Sequence, residues 1–475
     1  MQDIKQTQSQ PQTRTGVKAS HSKEELFARM SVPRALMKLA VPTVISQLVT
    51  MVYNLADTYF VGRSGDPLMV AAVSACYVLL FFMNAMANLF GIGGGSQISR
   101  MLGEKDARGA ARTAMFSVYG SLLISAVYVL ICTVFATPIL DFLGASEATM
   151  DYCREYAFYV VTLGGVPTVV SLTLSHLLRN EGYATEASFG LGLGGVLNML
   201  LDPLFIFVLV PAGQQVKGAA IATMLSNCVT LIYFVVCVLR LRDKTVITFN
   251  PGVGLPDQKH IKKIFAIGLP SALASGLAAT SNMVLTHIAE GFGDICVAAA
   301  GIVKKIDMLP MNTGMGLCQG MIPLVAYNYA AGNFKRMRAA MRTARYTGIA
   351  FAAVCIVCFE IWAEPLVRFF LDEPETVALG ARLLRIAVLA TPLTITCFQL
   401  NYAFQAVGRG TETLLFSISR QGIVHIPLLF LMAELMGSDG LMASQIVSDI
   451  VTLLLGFLLW HFRVEKELRL KENAL

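Results

Sequence analysis

The chain has 475 residues, 55% of them hydrophobic and only 14% charged, with a formal net charge of +6 and a mean hydropathy of +0.63. Soluble globular proteins carry about 25% charged residues. The apolar excess falls in about a dozen blocks, each long enough as a helix to cross roughly 30 Å of hydrocarbon. A soluble enzyme, a secreted disulfide scaffold and a nucleic-acid binder are excluded. So is a transmembrane β-barrel, which would show short alternating segments instead.

Residues 1–34 are polar and basic and lack the apolar stretch of a signal peptide, so they read as a cytoplasmic N-terminus. A short amphipathic helix is expected around Lys23 to Leu36, lying on the membrane surface. Twelve helical spans follow, near 36–61, 68–98, 113–135, 156–178, 187–210, 218–239, 264–289, 295–329, 346–363, 383–406, 413–433 and 441–462. Spans 1–6 form a first lobe over 35–240, a cytoplasmic linker covers 241–262, spans 7–12 form a second lobe over 263–463, and 464–475 is a cytoplasmic tail.

Orientation follows from the cations. The N-terminus, alternate loops and the C-terminus hold 27 of the 37 lysines and arginines. The opposite loops hold only Arg63, Arg154, Lys217, Arg368, Arg382 and Arg385, mixed with acids. The positive-inside rule therefore puts both termini in the cytoplasm, which requires an even number of spans. Ten cysteines are scattered singly except for Cys355 and Cys358, which lie inside a span. They read as small apolar residues, and no Cys or His spacing resembles a zinc site.

The chain also resembles itself. Pro42 aligns with Pro270, and at the same offset Asn54 falls on Asn282, Thr58 on Thr286 and Gly65-Asp66 on Gly293-Asp294. Arg112-Thr-Ala114 matches Arg342-Thr-Ala344, and Pro138, Pro167 and Pro203 match Pro365, Pro392 and Pro427. Two six-helix halves of the same orientation follow, a plan used by secondary transporters with the substrate path between the halves. No P-loop and no H-E-x-x-H occur, so the energy source is not ATP. The glycine run Gly91 to Gly95 reads as close helix packing or a hinge.

Five carboxylates lie within the apolar spans: Asp57, Asp202, Asp307, Glu360 and Asp449. Each costs a few kcal/mol at mid-bilayer and needs a reason. Glu360 and Asp449 read as interfacial or packing-related. Asn54 and Asp57 share a helix face at i and i+3, and Asn198 and Asp202 share one at i and i+4. Pro203 bends its helix and frees carbonyl oxygens beside Asp202. Two amide–carboxylate pairs on separate helices make a candidate H⁺ or Na⁺ site, with Tyr59, Thr223 and Asn227 as further members. The alternative is a neutral aspartate hydrogen-bonded across helices. In the second half Asp57 lands on Leu285, and Asn198 and Asp202 land on Gly422 and Ile426. The acid pair is thus not duplicated, which assigns ion coupling to the first half.

The second half has Lys304, Lys305, Asp307, Gln319, Gln399, Arg420 and His425. Lys304 and Asp307 are either a neutralising i, i+3 ion pair or substrate-path residues. His425 is either a satisfied core histidine or a proton carrier. The methionines read mostly as packing, with a soft lining for apolar ligands as the alternative.

These motifs together resemble the multidrug and toxic compound extrusion (MATE) family over residues 30–465. They are Pro42, Asn54-x-x-Asp57-x-x-Phe60-Val61-Gly62, Arg179-Asn-Glu181-Gly182, Asn198-x-x-x-Asp202-Pro203, Gly316-Leu-Cys-Gln319-Gly320-Met-Ile-Pro323 and Tyr327-Asn328-Tyr329. The resemblance is to the bacterial and archaeal branch with its cation site in the N-terminal lobe. It implies a V-shaped pair of bundles that alternates between outward- and inward-open states and exports amphipathic, often cationic drugs in exchange for H⁺ or Na⁺. By this resemblance Asp57, Asn198 and Asp202 carry coupling, with Na⁺ as a possible ligand, and Thr223 assists. No cofactor beyond the coupling ion is implied. The chain is read as a monomer in a prokaryotic plasma membrane that handles small amphipathic molecules and no nucleic acid. A flippase for lipid-linked oligosaccharides from the same superfamily is the competing reading. It needs a cationic central cavity, for which Lys304, Lys305 and Arg420 are the candidates.

Overall fold

The computed structural model describes residues 23–62, 67–211 and 213–474. Readings that rest on 1–22 or on Arg63, Gly65 and Asp66 lie outside them. All the regular elements described are helical. Twelve membrane-length helices, labelled here, run α1 Val32–Gly62, α2 Pro67–Gly103, α3 Ala107–Val134, α4 Met150–Leu163 with Gly165–Glu181, α5 Ala184–Leu209 and α6 Gln215–Arg240. The second set is α7 Gln258–Glu290, α8 Asp294–Ala330, α9 Phe334–Arg368, α10 Pro374–Val388 with Thr391–Val407, α11 Gly410–Met436 and α12 Ser438–Leu459. Nine of the described helices are long and apolar enough to cross a membrane, or 11 when each bent pair is one span. The twelfth, α8, has 37 residues but carries Lys304, Lys305, Asp307 and two internal prolines.

The duplication inferred from proline spacing recurs in the backbone. Helices α4 and α10 break at matching places and bend by 49° and 44°. Pro167 and Pro392 stand in the first turn of the second segments and offer no N–H to the preceding turn. Each helix then closes on a left-handed glycine, Gly182 at φ 106° and Gly408 at φ 82°. Asp106 and Asn333 cap α3 and α9, accepting from Gly109 N at 2.8 Å and Arg336 N at 3.3 Å. Several helices run beyond the expected spans, with α4 starting at Met150 rather than 156, α10 at Pro374 rather than 383, and α9 covering Phe334–Arg368 rather than 346–363.

The lobes meet at the end that carries the linker. Here backbones approach so closely that no side chain fits. A Cβ on Gly93 would lie 2.3 Å from Ile264 O, one on Gly268 1.9 Å from Leu89 O, and one on Gly320 2.5 Å from Ala40 Cα. The glycine run is therefore helix packing between and within lobes: Gly94 faces Ser117 of α3 and Gly95 faces Asn180 of α4. The polar tie Arg100 Nη1 to Ala406 O, at 3.5 Å, also crosses at this level.

The segment before α1 departs from expectation. A five-residue π-helical segment, Glu25–Arg29, stands where the short surface helix was expected, and its Leu26 and Phe27 are buried in protein. Phe27 stacks on Tyr327 with ring centroids 5.1 Å apart and lies over Gly182. Its carbonyl accepts from Asn328 Nδ2 at 3.0 Å and Arg336 Nε at 2.7 Å. Apolar side chains and a donor-rich pocket between the lobes hold this segment, so it does not lie on lipid. Lys23 pairs with the buried Glu181, which also accepts from Thr245 and from Val246 N at 2.6 Å. Lead-in and linker are thereby tied to the same carboxylate.

Candidate functional site

Helix α5 positions the first-half site. Its glycines let neighbours close in: a Cβ on Gly194 would sit 2.2 Å from Thr230 Oγ1 of α6, and one on Gly195 3.0 Å from Tyr53 of α1. Asn198 and Asp202 follow on the same face, one and two turns later. Pro203 then lacks the donor for the carbonyl one turn back, and the helix widens into a π-segment at Phe205–Leu209.

Asp202 is fully buried. Its Oδ1 accepts from Asn198 Nδ2 at 3.3 Å, and the same amide reaches Thr223 Oγ1 at 3.3 Å. Oδ2 of Asp202 is buried without a hydrogen-bond partner. Asp57, half-buried on α1, lies within electrostatic range of Asp202, and Tyr53 and Tyr156 lie within range of both. The structure thus brings Asp57, Asn198, Asp202 and Thr223 together. Asn54 is exposed on α1, and Tyr59 is exposed farther toward the end away from the linker. The two tyrosines were not read from the sequence. Tyr53 stands one turn before Asp57, a legible spacing, whereas nothing local marks Tyr156.

The second-half residues fall into three groups. Gln319 accepts from Arg179 of the first lobe at 3.3 Å and donates to Tyr402 OH at 3.3 Å, a tie between lobes. Gln399, fully buried, accepts from Arg345 Nη2 at 3.1 Å within the second lobe. Lys304, Asp307, Arg420 and His425 line a cavity of about 210 Å³ among α7, α8, α10, α11 and α12. Arg420 donates to Asp449 Oδ1 at 2.9 Å, and Asp449 also accepts from Thr394 and from Gln445 at 2.8 Å. Asp449 is thus fully buried in an ion pair across helices. Glu360 sits half-exposed, 3.7 Å from Arg385. His425 has a serine at each ring nitrogen, Ser281 at 2.6 Å and Ser444 at 3.4 Å, the pattern of a satisfied core histidine. Lys305 is exposed.

The MatE family model matches residues 42–204 and, a second time, 270–431, so that each match opens on one of the paired prolines. The chain belongs to the MatE family. This MATE chain is similar to the multidrug export protein MepA of Staphylococcus saprophyticus, at 31% identity over 434 residues, 91% of this chain and 94% of that protein. It is 28% identical to the MepA of Staphylococcus haemolyticus, over 92% and 95% of the two chains. Among solved structures it is similar to a MATE protein in complex with MaD3S, with a TM-score of 0.87 at 25% identity over 94% and 98% of the two chains. It is likewise similar to the outward-facing conformation of a multidrug resistance MATE family transporter of the MOP superfamily, with a TM-score of 0.85, 25% identity and 93% and 98% coverage. The duplicated MATE architecture of two six-helix lobes is therefore shared along nearly the whole chain, and the protein is a multi-pass membrane transporter rather than an enzyme.

Proposed function

We propose that the protein exports amphipathic, often cationic drugs or toxic compounds across a prokaryotic plasma membrane in exchange for H⁺ or Na⁺. It works as a monomer by alternating access. The linker end and both termini face the cytoplasm, as the lysine and arginine count favours. The MepA relatives, named for multidrug export, support the substrate class.

The observation that carries the coupling reading is the buried, unpartnered Oδ2 of Asp202 facing the influence of Asp57. Two carboxylates in a low-dielectric pocket repel each other, and one proton or one Na⁺ relieves that repulsion. Asn198 fixes the orientation of Asp202, and Thr223 supplies a hydroxyl oxygen. The helix π-segment after Pro203 gives the site a deformable wall. A cation arriving there changes how α1 packs on α5, and α1 also carries Ala40 against Gly320 of the other lobe. Site occupancy and lobe contact thus share one helix.

The test is dye uptake into everted membrane vesicles under an imposed pH gradient and, separately, an imposed Na⁺ gradient. One of the two gradients drives uptake. Uptake driven by neither, in vesicles shown to contain the protein, removes the antiport reading.

A further inference from the structure

The second-lobe cavity is the internal counterpart of the first-lobe acid site. Asn282 and Leu285 line it, and these are the repeat partners of Asn54 and Asp57. Where the first lobe keeps its acid, the second has leucine. Its charges enter instead from α8, α11 and α12.

Most of those charges are already satisfied. Arg420 is neutralised by Asp449 and stacked on the Phe398 ring, 4.9 Å from its centroid. Both ring nitrogens of His425 have serine partners. Two groups remain. Lys304 lies within electrostatic range of Asp307 and Arg420, but makes no direct hydrogen bond or ion pair among the described residues. Oδ1 of Asp307 is buried and unpartnered. The two stand at i and i+3 on one face of α8, yet they do not form the local ion pair their spacing allows. Around them, Met308, Met311 and Phe398 supply an apolar, adaptable wall.

A cation and a carboxylate that attract each other across the cavity yet share no hydrogen bond or ion pair are complementary to a ligand that carries the reverse pair. Resting on the transport reading above, we infer that this cavity is a binding site for small amphipathic zwitterions, whose carboxylate meets Lys304 and whose ammonium meets Asp307. The class is small because drug-sized pockets run from about 300 Å³ upward, and this cavity of about 210 Å³ takes one aromatic ring system, such as a phenyl or an indole, with its charged end.

The test uses purified full-length protein in nanodiscs and tritiated tryptophan as the probe. Unlabelled tryptophan, its methyl ester (cation only) and its N-acetyl derivative (anion only) compete. The zwitterion competes about tenfold or more better than either singly charged analogue, because each analogue leaves one buried charge unmet. Lys304→Met removes the advantage over the methyl ester, and Asp307→Asn removes the advantage over the N-acetyl compound. Equal competition by all three, no binding, or an unchanged ranking in both variants overturns the inference. If a variant does not fold, the competition on wild-type protein decides alone. Failure of the transport reading is distinct: it shows as absent gradient-driven dye uptake, whatever the tryptophan series does.

Discussion

Gly194→Ala tests how the first-lobe site is built. The added methyl would stand 2.2 Å from Thr230 Oγ1, where ordinary contact begins near 3.4 Å. That hydroxyl donates to Ser226 O at 2.7 Å, so turning it away breaks a hydrogen bond, a loss of about 0.5–1.5 kcal/mol. If it stays, α6 must retreat from α5 by about an ångström, and α6 carries Thr223, whose hydroxyl takes the Asn198 amide. Overpacking of this kind costs about 1–3 kcal/mol, offset by up to about 1 kcal/mol from the better helix propensity of alanine. A net 1–2 kcal/mol corresponds to a factor of about 5–30 in the population of the assembled site. Gradient-driven dye efflux from proteoliposomes therefore falls, by at most about that factor. The second substitution Thr230→Ala removes the clashing oxygen and leaves Thr230 Cβ at 3.5 Å, an ordinary contact. The double variant then returns to the rate of Thr230→Ala alone. Wild-type efflux in Gly194→Ala, or a double variant no better than the single, refutes the packing argument.

Other outcomes follow from the same contacts. Asp449→Leu leaves the Arg420 guanidinium buried and unpaired, which costs about 3–5 kcal/mol, whereas Asp449→Leu with Arg420→Met costs less than either single change. Thermal unfolding in detergent reads this, and additive single effects contradict it. Gly268→Ala pushes against Leu89 O, a backbone atom that cannot rotate away, so it opens the linker end and speeds deuterium labelling of the backbone amides around Ala40 and Gly320. Unchanged labelling counts against a sealed linker end. Glu181→Gln weakens the hold on Lys23 at its buried site and raises proteolytic cleavage within residues 23–30, while Glu24→Gln, whose partner Arg29 is exposed, does not.

What was legible in the sequence was local or periodic. Paired prolines announced the duplication because each alters the backbone at its own position, as the matched bends of α4 and α10 show. Asn198 with Asp202 was readable because i and i+4 fix a shared face on any helix. Pairing across helices was not readable. Arg420 and Asp449 lie 29 residues apart, Arg179 and Gln319 140, and Lys23 and Glu181 158, so only the packing of helices joins them. The same limit hid Tyr156 beside the acids. The surface-helix expectation for Lys23 to Leu36 missed for a related reason. An amphipathic pattern shows that an apolar face must be covered, and Phe27 is covered by Tyr327 and not by lipid.

The central claim is that Asp57 and Asp202 couple a cation gradient to transport. The most direct measurement is efflux from proteoliposomes containing Asp57→Asn or Asp202→Asn, with the pH gradient and the Na⁺ gradient imposed in turn. The substitutions keep the side-chain shape and remove the charge. The account predicts variants that insert and unfold thermally like wild type, yet transport no faster with either gradient than without one. Gradient-driven efflux at the wild-type rate in either variant contradicts it.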